Sequence, residues 1–408
     1  MTANTHHLVW MAGVPWDGIR GTDWHMATAM TRHGRILWVD PPISPLTPAR
    51  LRGEIGRTVR PLLSHVGDRV VRLTPAALPG MSRPWVRSTT APLVRSQVRW
   101  ALRKTGTRPW CVVATHLDGV LGFWGDGVVN ALYATDDYVA GADLMGLSAD
   151  RLRAQERRAL AWADLVAAVS PQLVERWASF GTSPVLIPNG CYPANTSEHA
   201  SPAVALALPR PIVGLVGRLS ERIDLNVLET IADAGFSLLL VGPHDPRWEP
   251  QRFAALIARP LVHYAGRVPA EAVPAYLAAM DVGVTPYQDS PFNRASFPLK
   301  TLEYLGAGRP VVCTDLPAAR WLRDDLAQSG QAAAADQILA IASDRSAFVA
   351  ALRRTAGGPR KPAVADRECA IDGRCRAFAA RHSWWSRADA FAAAIETAAG
   401  SSLVGSHP

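Results

Sequence analysis

Short apolar runs alternate along the chain with longer stretches in which apolar positions recur every three or four residues. The runs predict strands at 7–11, 36–39, 70–73, 111–115, 130–133, 165–168 and 185–187, then at 212–216, 237–241, 262–264, 282–285 and 311–313. The periodic stretches predict helices at 24–33, 149–163, 171–180, 225–234, 270–279 and 300–305. Strands alternating with helices build an α/β protein whose parallel sheets are covered on both faces. The pattern fails over 191–202 (CYPANTSEHASP), which is polar, turn-rich and aperiodic. This break reads as a linker between two Rossmann-like domains, 1–190 and 203–380. Doubly wound sheets bind ligands at the carboxyl ends of their strands, so the two sheets are expected to face a shared cleft. Residues 400–408 read as a loose tail.

Composition narrows the class. The chain has 408 residues, 48% of them hydrophobic and 19% charged, which excludes a disordered or fibrous protein and suits two cores. Residues 2–16 lack a basic leader and read as a first strand rather than a signal. The longest uncharged stretch, 177–197, is broken by three prolines and two glycines and is too polar to span a membrane. Five scattered cysteines suit a reducing cytoplasm, and none of them has the spacing of a metal site. The expected location is therefore cytoplasmic.

The net charge of +8 is unevenly placed. Between 47 and 110 there are 13 Lys or Arg and two acids, so this segment carries +11 and the rest of the chain −3. Within it, 92–104 (PLVRSQVRWALRK) puts Leu93, Val94, Val98, Ala101 and Leu102 broadly on one side of a helix and Arg95, Arg99 and Arg103 on another. Trp85, Trp100 and Trp110 add interfacial aromatics. Such a surface suits anionic lipid. An ordinary solvated helix face is the plain alternative; nucleic acid ranks last and is not an expected partner.

The densest chemistry lies in 296–312 (SFPLKTLEYLGAGRPVV). Pro298 can open a helix on which Lys300, Glu303 and Tyr304 follow, and Gly306 and Gly308 end it before a buried strand. The helix N-terminus and Lys300 suit a phosphate, and Glu303 one turn on suits the two hydroxyls of a ribose. The plain alternative is an i, i+3 ion pair between Lys300 and Glu303. Arg218, directly after Gly217 at the end of a buried strand, reads as a second phosphate ligand. Arg222 joins it or pairs with Asp224. Gly13, Gly18 and Gly21 do not spell a dinucleotide fingerprint.

These stretches, in this order, resemble the donor domain of GT-B glycosyltransferases: Gly214-Leu-Val-Gly217-Arg218, Gly266-Arg267-Val268, Ala279-Met-Asp281-Val-Gly-Val-Thr-Pro286, and Pro298-Leu-Lys300 through Glu303-Tyr304 to Pro310-Val-Val. Within that fold the chain is similar to the group containing the teichuronic acid biosynthesis glycosyltransferases. That group has a similar Pro-Leu-Lys-x-x-Glu-Tyr helix and an Arg-x-Asp-Leu stretch, here Arg222-Ile-Asp224-Leu225. Trp16-Asp17, Asp23-Trp24-His25, Leu37-Trp-Val-Asp-Pro-Pro42 and Asp136-Asp137 fit the same group. So does His382-Ser-Trp384-Trp385 ahead of a final helix, 381–398, that returns to the N-terminal domain in this fold.

The resemblance implies a metal-independent hexosyltransferase that uses a nucleotide-diphosphate sugar as substrate, UDP-linked in the first instance, with no cofactor. Arg218, Lys300 and Arg222 would hold the diphosphate, Glu303 the ribose, and the backbone of Gly266, Arg267 and Val268 the base. Asp136 would sit at the reacting sugar; Asp23 and Asp17 rank behind it as the group that accepts the acceptor's proton. Trp16, Trp24 and His25 would border the acceptor. Many related retaining enzymes carry a Glu eight positions before the ribose-binding Glu, where this chain has Ala295, so retention is not carried over.

The expected acceptor is lipid-linked or another cell-envelope saccharide. The expected site of action is the inner face of the plasma membrane, with 47–110 docked on anionic lipid. Alternatives are a soluble natural-product glycosyltransferase, a nucleotide-sugar 2-epimerase, and a non-catalytic nucleotide-sugar-binding scaffold.

Overall fold

The computed structural model describes residues 6–18, 20–48, 60–80, 83–192, 207–356 and 365–404. The chain divides into two compact units, Met1–Pro188 with Trp384–Pro408, and Asn189–Ser383. The expected linker falls mostly on 193–206, outside the described residues, as do 49–59 and 81–82 of the basic segment.

Among the described residues unit 1 holds eight strands: β1 (His6–Met11), β2 (Gly34–Val39), β3 (Leu62–Gly67), β4 (Val70–Thr74), β5 (Cys111–Ala114), β6 (Val129–Ala134), β7 (Leu165–Ala168) and β8 (Val185–Leu186). Their order is β3-β4-β2-β1-β5-β6-β7-β8. Only β3 runs antiparallel, against β4 at the sheet edge. The chain starts at β1 and winds outward in both directions, so the strand order reverses between β1 and β5. Helices α1 (Thr22–Met30), α2 (Pro84–Thr105), α3 (Ala142–Met145), α4 (Ala149–Trp162) and α5 (Pro171–Ala178) connect the strands.

Among the described residues unit 2 holds six parallel strands: β9 (Ile212–Val216), β10 (Ser237–Val241), β11 (Val262–Gly266), β12 (Val282–Thr285), β13 (Val311–Thr314) and β14 (Leu339–Ala342). Their order, β11-β10-β9-β12-β13-β14, reverses between β9 and β12. Apart from β11 at the sheet edge, which is only partly buried, the strands are mostly buried runs, as helix-covered parallel strands must be. The helices are α6 (Leu225–Asp233), α7 (Pro250–Ile257), α8 (Val273–Ala279), α9 (Pro291–Ala295), α10 (Leu299–Gly306), α11 (Pro317–Leu326), α12 (Ala335–Ile338), α13 (Arg345–Thr355) and α14 (Ala365–Arg381).

The last helix, α15 (Trp384–Val404), belongs to unit 1 and packs against α1. Trp384, Ala388, Phe391, Ala392 and Ile395 recur at helical spacing and are buried. Phe391 meets Trp10 of β1 and Tyr133 of β6 at ring-centroid distances of 6.2 and 5.3 Å.

Four expectations are corrected. Strands β3 and β14 were not anticipated. Helix α2 starts at Pro84, eight residues before Pro92, which sits inside the helix rather than at its head. Residues 400–404 are helical, not a loose tail, and 405–408 lie outside the described residues. The helix expected over 270–279 opens as a 3₁₀ turn, Ala270–Ala272. Among the described residues no helix is long and apolar enough to cross a membrane.

Candidate active site

Both sheets reverse their strand order, and each reversal leaves a crevice at the carboxyl ends of two strands, where open α/β sheets take ligands. In unit 2 the flanking strands are β9 and β12. The Val216 N–H donates to the buried Tyr304 hydroxyl at 2.7 Å, which ties the end of β9 to α10. The next residue, Gly217, has φ 149° and donates to Val241 O at 2.9 Å. Gly242, at φ 134°, follows β10; a Cβ there would stand 1.9 Å from the Gly217 carbonyl oxygen. The two strand-end loops therefore touch backbone to backbone, which only glycine permits.

Lys300 lies over this spot. A Cβ at Gly217 would be 4.0 Å from its side chain. Lys300 stands in the first turn of α10, whose N-cap is Pro298 with no side-chain cap, so the leading N–H groups have no capping acceptor. Its Nζ meets Glu303 Oε2 at 2.5 Å, and both side chains are about a quarter exposed. The i, i+3 ion pair of the plain alternative is thus formed, and it is formed at the crevice. A partly exposed pair of this kind is worth little and yields readily to a ligand.

Arg218 donates one Nη to Asp245 at 2.7 Å, with more than half of its side chain exposed. Asp245 is buried and also holds Arg247. Hydrogen bonds from the Arg247 side chain and backbone, then from Arg218, hold its carboxyl well below the usual range. Arg222 does not pair with Asp224, which instead caps α6 by accepting from Asn226 N at 2.9 Å. Its Nε donates to Asn293 Oδ1 at 2.9 Å. Gly266 ends β11 at φ 67° and accepts from Gly242 N at 2.7 Å; Arg267 beyond it is exposed. Gly266, Arg267 and Val268 thus share the carboxyl edge but lie two strands from β9. Ala295 is buried at the end of α9.

In unit 1 the flanking strands are β1 and β5. Gly13, just past β1, donates to Asp23 Oδ2 at 2.9 Å and faces Thr115 Oγ1 at 3.0 Å. Thr115, just past β5, also donates to Asp23 Oδ2, at 2.8 Å. Asp23 comes from the first turn of α1 and is 6% exposed; its Oδ1 is buried with no hydrogen-bond partner. Burial pushes its pKa up from 3.8 to about 6. The Thr115 and Gly13 bonds oppose the rise and the charge of Asp136 adds to it. Tyr138 donates to the Thr115 carbonyl and closes the group from another side.

The Asp136-Asp137 pair divides. Asp137 is buried, accepts from Val139 N and Ala140 N, and pairs with Arg176 at 2.5 Å. Asp17 is exposed and pairs with Arg72, which is anchored on buried Asp40. It faces that network rather than the Asp23 group. Trp16 and Trp24 lie 5.7 Å apart, Arg20 covers the Trp24 ring at 4.7 Å, and His25 stacks on Trp384 at 5.3 Å. The three acceptor-side candidates therefore join one aromatic cluster beside Asp23.

The arginine stripe on α2 is partly spent inward. Arg95 lies 3.6 Å over the Phe123 ring and donates to Gly119 O; Arg99 lies 5.5 Å over Trp124 and donates to Phe123 O. Both staple the loop between β5 and β6.

Residues 210–357 match the family described as Glycosyl transferases group 1. One curated relative is TuaH of Bacillus subtilis (strain 168), whose name assigns it to teichuronic acid biosynthesis as a glycosyltransferase. It is 35% identical over 109 residues, 26% of this chain. The chain spans about a quarter of that relative's length, 27%, in this match. Among solved structures, the sucrose-phosphate synthase of Thermosynechococcus elongatus superposes with a TM-score of 0.67 at 18% identity, over 96% of this chain and 98% of that one. The catalytic domain of starch synthase IV from Arabidopsis thaliana, bound to ADP and acarbose, gives 0.67 at 13% over 97% and 99%. Anabaena Alr3699/HepE, in complex with UDP and glucose, gives 0.61 at 14% over 96% and 100%. The chain has the GT-B fold, and its second unit carries the group 1 domain.

Proposed function

We propose that this chain transfers a sugar from a nucleotide-diphosphate sugar, first of all a UDP-sugar, to a lipid-linked or other cell-envelope saccharide at the cytoplasmic face of the membrane. The observation that carries the reading is the crevice between β9 and β12, inside the matched domain. Arg218 and Arg222 follow β9 there, and Lys300, in the first turn of the open-ended α10, lies against Gly217. Three cations and a helix dipole favour a diphosphate, and most of all one that gains charge as it leaves.

In the proposed step the acceptor oxygen bonds to the anomeric carbon as that carbon's bond to the diphosphate breaks. The diphosphate departs with the electron pair, and the cations and the α10 N–H groups offset its charge. The acceptor hydroxyl gives its proton to a carboxylate. Asp23 takes precedence over Asp136 here, because its free oxygen and raised pKa suit a base working near neutral pH. Glu303 accepts from the ribose hydroxyls once Lys300 turns to phosphate.

The envelope acceptor draws support from the name of TuaH and from one edge of unit 1. Leu46 and Trp85 are 70% and 73% exposed, Leu78 is half-exposed, and Arg83 is exposed beside them in sequence. The Ile43–Ala76 bridge ties the two loops that bear Leu46 and Leu78. Exposed apolar side chains with a neighbouring arginine suit an anionic bilayer surface.

Calorimetric titration with UDP, GDP, TDP and ADP, with and without EDTA, tests the donor side. One nucleotide is expected to bind in the micromolar range, insensitive to EDTA, and Glu303→Ala should weaken it by about tenfold or more. No binding of any of the four would refute the reading.

A further inference from the structure

Arg222 is held unlike any other cation in the crevice. The loop that carries it is zipped to the loop after β12: Asp224 N donates to Pro286 O at 2.8 Å, Gln288 N donates to Arg222 O at 2.9 Å, and Ile223 bridges Tyr287. These two loops belong to the strands on either side of the reversal. Asn293 sits behind the zipper, 2% exposed. Its Nδ2 donates to Arg222 O at 3.0 Å and to Gln288 O at 2.9 Å. Two backbone carbonyls accept only from the NH₂ end, so they fix which way the amide points. Oδ1 is thereby aimed at Arg222 Nε, 2.9 Å away. The guanidinium also rides over Phe292 and Tyr287, 4.8 and 5.2 Å from their ring centroids.

We propose that Asn293 is a positioning residue that presents Arg222 as a two-nitrogen fork to the terminal phosphate of a nucleoside diphosphate. The inference rests on the nucleotide-sugar reading above. With Nε engaged and two aromatic rings against the group, the edge formed by Nη1 and Nη2 is the part left to a ligand. That edge matches two phosphate oxygens. The remaining arginine, Arg218, is already committed to Asp245 and keeps a side chain more than half exposed. An amide is the right anchor: a carboxylate at 293 would lose the two donations that orient it and would also cancel the charge that the phosphate needs. Locking a long side chain before binding also removes an ordering cost otherwise met on association.

The test is the ratio of diphosphate to monophosphate affinity, measured by calorimetry with UDP, GDP, TDP and ADP and their monophosphates. Asn293→Ala is expected to lower the ratio by about tenfold, the loss of one charge-assisted fork, and to add nothing further in an Arg222→Ala background. Arg222→Lys keeps the charge without the fork, and is expected to fall as far; at a half-buried position it keeps the question open to test if Asn293→Ala does not fold. Asn293→Asp is expected to lower the ratio as well. An unchanged ratio in Asn293→Ala or Arg222→Lys overturns the proposal. So does an equal loss for diphosphate and monophosphate, or a full further loss in the Arg222→Ala background. A wild type that binds none of the diphosphates overturns the nucleotide reading, and this inference with it.

Discussion

Replacing Asp23 by Asn removes a titration while keeping an acceptor for Gly13 N and Thr115. The carboxyl rises from 3.8 to about 6 on folding, so between those values the native state binds the proton that the unfolded state has released. Stability must then fall as pH rises through the window, by about 3 kcal/mol in total at 1.36 kcal/mol per unit. About 2 kcal/mol of that loss lies between pH 4.5 and 7.5. The amide brings its own cost, since Nδ2 inherits the place of the unpartnered Oδ1, but that cost does not depend on pH. The quantity to read is therefore the difference between wild type and Asp23→Asn at the two pH values. Urea unfolding followed by tryptophan fluorescence suits it, because twelve of the 14 tryptophans lie in unit 1. Relative to wild type, the variant should gain about 2 kcal/mol on going from pH 4.5 to 7.5, while losing sugar transfer at both. The same difference at both values, within about 0.5 kcal/mol, would refute the raised carboxyl; unimpaired transfer would remove Asp23 from the chemistry.

Two further outcomes follow from the same structure. Arg176 holds both buried Asp137 and buried Glu156, so Arg176→Ala should cost unit 1 about 3–5 kcal/mol at neutral pH; urea midpoints that are unshifted would contradict the pairing. Leu78→Glu with Trp85→Glu should abolish sedimentation with anionic vesicles at low salt, whereas retained sedimentation would sink the membrane edge.

Much of unit 2 was legible because its chemistry is contiguous. Lys300, Glu303 and Tyr304 fall within five residues, and their spacing alone puts them on one helix. Asn293 was not legible: its partner Arg222 is 71 residues away, and only the adjacency of β9 and β12 joins them. The surroundings of Asp23 were hidden for the same reason. The resemblance puts Asp136 at the reacting sugar and ranks Asp23 behind it. What distinguishes Asp23 is its contact with Thr115, 92 residues on, and that contact exists only because β5 lies beside β1. Strand β3 escaped notice because an edge strand is only partly buried, and β14 because LAIA between helices carries no period. The charge count over 47–110 found a basic segment but could not tell which arginines point at solvent. Arg95 and Arg99 are spent on the loop between β5 and β6.

The two units share a plan and differ in sign. Counting parallel strands only, each sheet runs third, second, first, fourth, fifth, sixth, with β8 added as a seventh in unit 1, and each reverses beside its first strand. The shared topology gives each unit one crevice, so the difference between them must come from the side chains that reach it. Unit 2 brings arginines, a lysine and an uncapped helix N-terminus there. Unit 1 brings a buried carboxyl that burial and a second carboxylate hold close to neutrality. A group that leaves with negative charge needs the first environment, and a hydroxyl that must lose a proton needs the second. Neither environment alone specifies group transfer: the cations would serve any nucleotide-binding protein, and the buried carboxyl any hydrolase. Their occurrence at equivalent positions of two sheets in one chain is what makes transfer the more economical reading than storage or scaffolding.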